Sequence, residues 1–255
     1  MQIVVPMSGL GSRFIEAGYT KPKPLIEVAG KPIIEYVAEL FPGEEDYVFI
    51  CRREHVENTE VVDVLKRLKP QGKIVVIEGH KLGPVYAVSQ AYEHIKPDSP
   101  IIVNYCDFFM NWDYADFKQY VQSTKCDGCI PCYTGFHPHL LHPNNLYASC
   151  KVDENMNLLE IREKYSHETD KKKAFHSAGT YYFKNGEMLK KYCDETMHQQ
   201  DTLNGEYYVS LVYNHLLQDA RQVKVYEKIP HFCQWGTPFD LEEFNYWEQV
   251  FKKYK

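Results

Sequence analysis

Short apolar runs alternate with segments of helical periodicity through the first half of the chain. Four runs rich in β-branched or aromatic residues predict strands, at residues 2–5, 47–51, 73–77 and 101–105. Between them, apolar residues spaced three or four positions apart predict helices over residues 33–40, 61–68 and 85–95. Strand–helix–strand repetition of this length predicts a parallel sheet with right-handed crossovers. Ligands on such a sheet bind beyond the carboxyl ends of its strands.

The second half of the chain adds strands that fall outside this alternation. Residues 149–152 and 158–163 predict a hairpin around the polar turn 153–157. Residues 179–183 (GTYYF) predict a further strand. These strands predict a β insertion built onto the sheet.

Two late segments, residues 206–217 and 241–254, have the apolar spacing of amphipathic helices. No Gly-, Pro- or Ser-rich linker, internal repeat or low-complexity tract interrupts the chain. We therefore predict a single domain over residues 1–255, of the α/β class. Its sheet is expected to be Rossmann-like, mixed and mostly parallel, and flanked by helices.

Composition narrows the picture mainly by exclusion. The chain has 255 residues, of which 44% are hydrophobic and 25% charged, and its formal net charge is −6. No basic cluster extends beyond Lys171–Lys173, which argues against nucleic acid as a partner. No apolar run reaches the length of a membrane span, and the residues after the first strand do not fit a signal peptide. We therefore expect a cytoplasmic protein without a membrane partner, and no pattern predicts its oligomeric state.

Eight cysteines raise the question of a metal site. Three cysteines with the spacing C-x2-C-x2-C precede three histidines: Cys126, Cys129, Cys132, His137, His139 and His142. The competing interpretation is a buried strand over residues 129–133 (CIPCY), in which side chains three positions apart point to opposite faces. We favour the strand, because only one half of the usual paired zinc-ligand spacing is present and free cysteines are commonly buried.

A glycine-containing loop directly follows the first predicted strand. Its residues are Met7, Ser8, Gly9, Leu10, Gly11 and Ser12. Glycines let the backbone turn with its N–H groups pointing inward, and such a nest attracts phosphate. Arg13 adds a planar charged fork suited to two phosphate oxygens, and Lys23 adds a second cation on a segment stiffened by Pro22 and Pro24. Together these residues predict a site for a nucleoside triphosphate.

The same loop departs from the other common phosphate-binding motifs. It contains no G-x-x-x-x-G-K-[ST] string, and the G-x-G-x-x-G pattern fails at Phe14. An ordinary strand-to-helix turn with solvated Arg13 and Lys23 is the alternative interpretation. The full string MSGLGSRFIEAGYTKPKPLI, however, resembles the signature of the nucleotide-diphospho-sugar pyrophosphorylases, nucleotidyltransferases that join an NTP to a phosphorylated small molecule. The resemblance implies a GT-A-like nucleotidyltransferase fold with the β insertion on the acceptor side.

Asp107 follows the apolar run IIVNYC, at the predicted carboxyl end of a strand. A carboxylate there can hold Mg²⁺, which prefers hard oxygen ligands, although a turn or capping role is the alternative. The resemblance implies metal binding, because the family's metal-binding aspartate occupies this strand end. Gln234 stands where related enzymes place a second metal ligand, and Asp240 is another candidate. The sequence leaves the choice between them open.

Glu78 ends the run KIVVI and lies five residues before Gly83. Thymidylyl- and uridylyltransferases of the family resemble this stretch but carry glutamine at the first position. An amide suits the O4 acceptor and the N3–H donor of uracil or thymine, whereas an ionised glutamate only accepts and prefers the exocyclic amine of cytosine. We therefore expect CTP to be the favoured nucleotide, with an exposed strand-end glutamate as the alternative.

The resemblance places the acceptor site in the second half of the chain. The family's acidic–lysine pair corresponds to Glu163 and Lys164, and it implies that the lysine reaches the acceptor's phosphate; a solvated loop lysine is the alternative. The string from Ser177 to Gly179 resembles the family's N-A-G strand, with serine in place of the asparagine. Glu206 is placed either to bind acceptor hydroxyls or amines, or to begin a helix.

No residue has the setting of a catalytic nucleophile, since no G-x-S-x-G string accompanies the histidines. The acceptor phosphate would itself attack, and pyrophosphate would leave. The predicted protein is an Mg²⁺-dependent nucleotidyltransferase that uses an NTP and a phosphorylated small molecule. A UDP- or dTDP-sugar pyrophosphorylase shares every motif except the argument from Glu78. A nucleotide-binding regulatory module without turnover would be consistent with Gln234.

Overall fold

The computed structural model describes residues 1–254. The strands are β1 (Gln2–Met7), β2 (Glu27–Val28), β3 (Lys31–Pro32), β4 (Tyr47–Arg52), β5 (Lys73–Ile77), β6 (Ile101–Asn104), β7 (Phe108–Asn111), β8 (Gly128–Tyr133), β9 (Ser149–Val152), β10 (Leu158–Arg162), β11 (Phe175–Ser177), β12 (Thr180–Phe183), β13 (Val223–Tyr226) and β14 (His231–Gln234). The helices are α1 (Ser12–Glu16), α2 (Ile33–Glu39), α3 (Arg53–Asn58), α4 (Val61–Leu68), α5 (Pro84–Ser89), α6 (Tyr114–Thr124), α7 (Gly186–His198), α8 (Val209–Gln218) and α9 (Pro238–Lys253). Across residues 1–254, none of these helices combines the length and the apolar character needed to cross a membrane.

One large sheet organises these elements. Its strands are ordered β10-β9-β11-β8-β12-β6-β1-β4-β5, and β13 pairs with β8 off this path. The half made of β6, β1, β4 and β5 is parallel, with Ile3 opposite Tyr47 on one side and Ile102 on the other. β12 enters antiparallel, and β9, β10 and β11 extend the sheet as the expected β insertion. Because β8, β9 and β13 also run in the direction of the parallel half, the predicted mixed, mostly parallel α/β fold is confirmed. The single-domain assignment of residues 1–255 stays a prediction.

The sheet separates two hydrophobic clusters, one on each face. Along β1, Ile3 and Val5 belong to the cluster that α2, α4 and α6 cover, whereas Val4 belongs to the cluster that α5, α7 and α8 cover. Because helices cover both faces, β1 is apolar at successive positions instead of alternating with polar residues. The parallel strands are therefore covered on both faces and reach solvent only at their ends, where the loops begin.

The cysteine-rich segment forms strand β8, as predicted, and its thiols point to opposite faces of the sheet. Cys126 and Cys129 lie in one hydrophobic cluster, whereas Cys132 lies in the other, 3.7 Å from the sulfur of Cys150. Burial raises the pKa of the Cys129 and Cys132 thiols. Within residues 1–254, no group of three His, Cys, Asp or Glu side chains is arranged to hold a metal ion.

Two elements end earlier than predicted. The third helix was expected to reach residue 95, but α5 ends at Ser89 and a 3₁₀ turn follows at Tyr92–His94. The Ser89 hydroxyl donates to the carbonyl of Tyr86 at 2.8 Å, which competes with the helical hydrogen bonds. Strand β10 ends at Arg162, so Lys164 lies in the turn beyond it with a φ of +51°.

The helix expected over residues 206–217 begins later, at Val209. The N–H of Tyr207 donates to the carbonyl of Leu82 at 2.9 Å, and the Tyr207 carbonyl accepts from Val85 at 3.1 Å. These backbone groups pair across to another loop instead of continuing a helix. Glu206 therefore precedes α8 in a loop, and its alternative interpretation as a helix-entry residue is wrong.

Candidate active site

A cleft of about 730 Å³ opens beyond the carboxyl ends of β1, β4 and β6. Most of the predicted nucleotide-binding residues line it: Met7, Ser8, Gly9, Leu10, Gly11, Ser12, Lys23 and Gly83. Two further predicted residues, Asp107 and Glu206, also line it. The remaining candidates lie outside its lining: Arg13, Glu78, Lys164, Gly179, Gln234 and Asp240.

The loop after β1 turns at Gly11, whose φ of +65° suits a residue without a Cβ. The Gly11 carbonyl accepts from the N–H of Phe14 at 2.9 Å, where α1 begins to wind. A methyl group added at Gly9 would meet no atom within 4 Å, so this face of the loop is open to the cleft. Oγ of Ser8 lies 3.2 Å from Nε2 of His80, which ties the loop to the opposite wall.

Lys23 and Asp107 form an ion pair in the cleft. The ammonium of Lys23 donates to Oδ2 of Asp107 at 2.5 Å and to the carbonyl of Gly236 at 3.3 Å. The two side chains are only 20% and 24% exposed. The carbonyl of Asp107 accepts from the N–H of Trp235 at 2.9 Å, because β7 and β14 pair immediately beside it. The fold thus joins three distant parts of the chain at one point.

The carboxylate of Asp107 suits a hard divalent cation such as Mg²⁺. A methyl group added at Gly236 would overlap Nε2 of Gln234 and come within 3.4 Å of Oδ2 of Asp107, so the Gln234 amide faces the carboxylate across this glycine. Carboxylate and amide oxygens are ligands that Mg²⁺ accepts, usually together with substrate phosphates. The predicted metal role of Asp107 is compatible with this geometry.

Asp240, the other candidate for the second metal ligand, is part of the N-terminal cap of α9. Its N–H donates to Oγ1 of Thr237 at 3.2 Å, and the Thr237 hydroxyl donates back to its Oδ2 at 2.6 Å. This cap starts α9 at Pro238, ahead of the predicted start at residue 241. Burial raises the pKa of Asp240, Lys23 opposes the rise and Asp107 adds to it. Asp240 therefore neighbours the ion pair and stays a candidate beside Gln234.

The predicted acceptor residues surround a half-buried glutamate. Glu163 accepts a hydrogen bond from Oγ of Ser210 at 2.5 Å. Burial raises the pKa of Glu163 to about 7; the charge of Lys164 opposes this rise and that of Glu206 adds to it. The Lys164 ammonium lies 5.3 Å from the ring centroid of Tyr208, a residue of the cleft wall. The structure thus brings Glu163, Lys164 and Glu206 together at one end of the cleft.

Gly179 supports the wall of the cleft from behind. Its carbonyl accepts from the N–H of Tyr105, a cleft residue, at 3.0 Å. A methyl group added at Gly179 would lie 3.0 Å from the ring of Phe108, so the close approach of these strands requires a glycine. Oγ of Ser177 accepts from the Gly179 N–H and contacts the hydroxyl of Tyr181 at 3.1 Å. The hydroxyl of Ser177 thus bonds to nearby residues of the same chain segment.

Glu78, the predicted base-reading residue, directly follows β5 but lies outside the cleft lining. Its Oε1 is 2.5 Å from Nε of Arg53, and its side chain is 75% exposed. Gly83 does line the cleft, and a methyl group there would come within 2.7 Å of the backbone of Tyr207. Gly83 and Glu78 were both predicted to bind the nucleotide. Gly83 lies on the cleft wall, whereas Glu78 is held by Arg53 in an ion pair outside the cleft lining.

Arg52 is a charged residue of the cleft wall that lies close to the segment carrying Glu78. It is the last residue of β4, lines the cleft and forms an ion pair with Glu54 through Nη2. A methyl group added at Gly79 would lie 2.8 Å from Nε of Arg52 and 3.2 Å from the side chain of Leu10. A guanidinium has five N–H donors, so donors beyond the pair with Glu54 remain for a ligand.

Arg13 is exposed on α1. Burial raises the pKa of Tyr208 and of Tyr147, and the positive charge of Arg13 opposes both rises. Because Tyr208 lines the cleft, Arg13 lies within electrostatic reach of a phosphate bound there. Its predicted role in phosphate binding stays a prediction.

A family model, the MobA-like NTP transferase domain, matches residues 3–168 of the chain. Among curated proteins, the chain is 24% identical over 248 residues to the bifunctional protein GlmU of Methanocaldococcus jannaschii, covering 96% of this chain and 53% of that protein. It is 26% identical over 160 residues to the glucose-1-phosphate cytidylyltransferase of Salmonella typhimurium, covering 54% of this chain and 61% of that protein. The chain thus spans little more than half the length of these curated relatives.

Solved structures show the same fold. The chain aligns with a nucleoside-diphosphate-sugar pyrophosphorylase from Vibrio cholerae RC9 at a TM-score of 0.78 and 23% identity. The alignment covers 96% of this chain and 100% of that one. At this level of identity, the likeness establishes the fold and leaves the chemistry to be argued from the residues of this chain.

Proposed function

This chain belongs to the MobA-like NTP transferase domain family, and on that premise we propose that it is an Mg²⁺-dependent nucleotidyltransferase. In the proposed reaction, an NTP and a phosphorylated small molecule give a nucleotide-linked product and pyrophosphate. CTP is the proposed nucleotide. The observation that carries this proposal is the contact between Lys23 and Asp107 in the cleft that the glycine loop lines.

The reaction needs charge neutralisation more than proton transfer. An oxygen of the acceptor phosphate forms a bond to the α-phosphorus of the NTP, the bond from that phosphorus to the bridging oxygen breaks, and pyrophosphate leaves with the electron pair. The acceptor phosphate is already anionic near neutral pH, so no strong general base is required. Lys23 and Arg13 would neutralise the triphosphate, and Lys164 the acceptor phosphate.

Asp107 would hold Mg²⁺, with Gln234 or Asp240 as the second protein ligand. The ion supplies charge neutralisation on the phosphates when it is bound. Because Lys23 already contacts Asp107, the lysine is positioned to move its hydrogen bond from the carboxylate to a phosphate oxygen. The same side chain would then offset part of the charge that develops on the leaving pyrophosphate.

The preference for CTP is supported by Arg52. Cytosine presents two acceptors, N3 and O2, where uracil presents an N3–H donor next to O2. A guanidinium can only donate, so Arg52 at the cleft wall suits cytosine and opposes uracil. Glu78 would add an acceptor for the exocyclic amine, provided that it leaves Arg53. A curated relative named as a cytidylyltransferase is consistent with this choice.

For the acceptor, we propose L-glutamine phosphate, used in capsule or surface polysaccharide synthesis. The glycine loop, the E-K-Y and SAGTYYF strings and the final WGTPFDLEEF resemble the CTP:phosphoglutamine cytidylyltransferase of bacterial capsule phosphoramidate synthesis. Two carboxylates, Glu163 and Glu206, lie at the acceptor end of the site. They suit an ammonium group, which phosphoglutamine carries and a simple sugar phosphate lacks.

A second candidate is a UDP- or dTDP-sugar pyrophosphorylase acting on a sugar 1-phosphate. The ion pair between Glu78 and Arg53 favours it, because this pair removes the glutamate from the base. A non-catalytic nucleotide-binding module is the candidate from another class, and the glutamine at position 234 is the feature that favours it.

Pyrophosphate release from ATP, CTP, GTP, UTP and dTTP, each crossed with L-glutamine phosphate and glucose 1-phosphate, separates these candidates. We expect CTP with L-glutamine phosphate to be turned over fastest, with CTP preferred over UTP by roughly ten- to a hundredfold. A preference for UTP or dTTP would discard the cytidylyl assignment and leave the transferase. NTP binding without pyrophosphate release from any pair would support the regulatory module.

The variant Arg52→Gln tests the argument from the base. An amide can donate to one base edge and accept from the other, so the ratio of kcat/KM for CTP over UTP should fall toward unity. Arg67→Gln is the matched control, because this arginine pairs with Glu35 away from the cleft. An unchanged ratio in Arg52→Gln would remove Arg52 from base selection without affecting the transferase assignment.

A further inference from the structure

Within residues 1–254, helix α9 buries one side and leaves the other without a partner. On its inner side, Leu241 is fully packed, and the ring of Phe244 meets Trp235 edge-to-face with centroids 5.2 Å apart. Its outer side and the residue just after its end carry an aromatic stripe whose members are 47% to 80% exposed: Phe239, Tyr246, Trp247, Phe251 and Tyr254. These large apolar groups lie on the surface of a helix that is otherwise well anchored.

The stripe is one continuous surface. At about 100° per residue, its five positions fall within an arc of about 140° around the helix. Trp247 contacts Tyr246 at a centroid distance of 5.3 Å and stacks on Phe251 at 6.0 Å. Since an aromatic side chain has ~150–250 Å² of surface, the stripe exposes roughly 600 Å². A patch of this size is typical of an interaction site rather than of scattered surface residues.

The charges of α9 are complementary to those of a second copy of α9 that runs antiparallel to it. Glu242 and Glu243 lie in its first half, and Lys252 and Lys253 lie in its last turn. If two copies pair antiparallel about a two-fold axis near Glu248, Glu243 of one copy lies beside Lys253 of the other. A parallel arrangement would instead bring like charges together. Antiparallel pairing also places the Trp247 rings of the two copies close to the axis.

We propose that α9 is a homodimer interface, in which the aromatic stripe packs antiparallel against the stripe of a second copy of this chain. Two stripes would bury roughly 1,200 Å² in total, which reaches the size of specific dimer interfaces. Four charged ends flank the apolar centre, as they do in stable protein interfaces. Because a two-fold axis pairs the same surface of both copies, the contact closes into a dimer and does not extend into a fibre.

A second copy suits this surface better than an anionic membrane does. An interfacial membrane helix carries Lys and Arg along its polar face. The first half of α9 carries Asp240, Glu242 and Glu243 instead, and the whole chain has a net charge of −6. These charges would repel an anionic lipid surface. The acidic and basic ends of a second α9 match them.

The oligomeric state of the full chain tests the apolar part of the proposal. We expect the wild-type protein to sediment as a dimer at ~100 µM, since interfaces of this size hold at micromolar concentrations. The double variant Trp247→Glu with Phe251→Glu should sediment as a monomer, with an unchanged far-UV circular dichroism spectrum. Leu159→Glu, which alters an exposed leucine on β10, is the matched control and should stay dimeric. A monomeric wild type overturns the proposal, and so does a dimer that survives the double variant.

Charge exchange tests the antiparallel geometry. Glu243→Lys alone and Lys253→Glu alone should each raise the dimer dissociation constant by roughly three- to tenfold, because each variant breaks two symmetry-related pairs. The combination of both variants should restore wild-type dimerisation. If each variant instead destabilised the fold, the two effects would add in the double variant and dimerisation would not be restored. The absence of rescue would therefore exclude the antiparallel geometry. Flotation of a monomeric wild-type chain with anionic vesicles would identify a membrane surface as the occupant and also overturn the proposal.

Discussion

The ammonium of Lys23 donates to Oδ2 of Asp107 across 2.5 Å, although 84 positions separate the two residues in the chain. Pro22 and Pro24 stiffen the segment that carries the lysine, and the end of β6 positions the aspartate. A cation and a carboxylate in contact largely neutralise each other. A bound triphosphate would find the two groups side by side. The Lys23 ammonium can bind its oxygens, and the Asp107 carboxylate can hold a metal ion.

Replacing Lys23 with alanine should lower kcat/KM for pyrophosphate release by on the order of a hundredfold or more, because a preorganised cation is lost from the triphosphate. The fold should persist, since the pair is partly solvated and lies at a cleft instead of in the core. Lys31→Ala is the control; this lysine pairs with Glu39 at 2.6 Å on the surface, and its loss should leave turnover unchanged. Near-normal turnover in Lys23→Ala would remove this contact from the active site.

Asp107→Asn should abolish Mg²⁺-dependent turnover, because a neutral amide binds Mg²⁺ more weakly than a carboxylate does and cannot help to offset the repulsion between two phosphate groups brought together. The melting temperature should change little, since the backbone hydrogen bond from Trp235 does not depend on the side chain. Asp116→Asn is the matched control, because this aspartate pairs with Lys228 and Tyr226 away from the cleft. Full activity of Asp107→Asn, or equal wild-type activity in EDTA, would contradict the metal role.

The parallel half of the sheet and the ends of its strands follow from local patterns in the sequence. Apolar runs and helical spacing identify the elements, and the edge rule for parallel sheets brings Gly9 and Asp107 into one cleft. Lys23 is predicted to lie near them, on a segment that Pro22 and Pro24 stiffen. Each of these inferences needs only residues that are close together in the chain.

The base end of the site depends on contacts that no local pattern encodes. Arg52 and Arg53 are neighbours in sequence, yet Arg52 lines the cleft while Arg53 pairs with Glu78 outside it. Their directions are set by the end of β4 and the start of α3, a boundary that periodicity does not locate to one residue. The strand-end rule that identified Asp107 points to the end of β4, but it does not distinguish Arg52 from Arg53.

The burial of Glu163 was not predictable either. The string R-E-K at the end of β10 is polar throughout and suggests exposure. The glutamate is half-buried because α8 packs over β10 and brings Ser210 to its carboxylate. That packing is a long-range contact, and it gives this residue an altered pKa that a solvated glutamate would lack.

A group of histidines between β8 and β14 should make the protein sensitive to acid. Burial and, to a smaller extent, the charges of His137, His176 and His231 together lower the pKa of His139 to about 3. An unfolded histidine binds a proton below about pH 6.5, whereas the folded His139 does so only near its lowered pKa. Stability contributed by neutral His139 is thus complete above pH 6.5 and is lost as the pH falls.

His139→Gln should therefore flatten the dependence of the unfolding free energy on pH between about 6.5 and 4, where one proton corresponds to about 1.4 kcal/mol per pH unit. Glutamine retains a polar partner for the hydroxyl of Tyr133, which lies 2.8 Å from His139 Nε2. Urea denaturation at a series of pH values measures the slope. The exposed His198 at the end of α7 provides the control, and His198→Gln should leave the wild-type slope intact.

Glu163 should act in the opposite direction. Burial raises its pKa from 4.5 to about 7, so between these values the unfolded state releases a proton that the folded state keeps. The stability that protonated Glu163 contributes is complete below pH 4.5 and is lost as the pH rises through about 7. Glu163→Gln cannot ionise, and its amide oxygen can still accept from Ser210.

We therefore expect Glu163→Gln to match the wild type near pH 4 and to exceed it in unfolding free energy at pH 8, by a few kcal/mol at most at about 1.4 kcal/mol per pKa unit. Glu160→Gln is the control on the same strand, because Arg162 lowers the pKa of that exposed carboxyl group and no gain at high pH should follow. Parallel pH profiles for Glu163→Gln and wild type would show that Glu163 ionises normally. Its carboxylate would then be available to an acceptor ammonium without the energetic cost of burial.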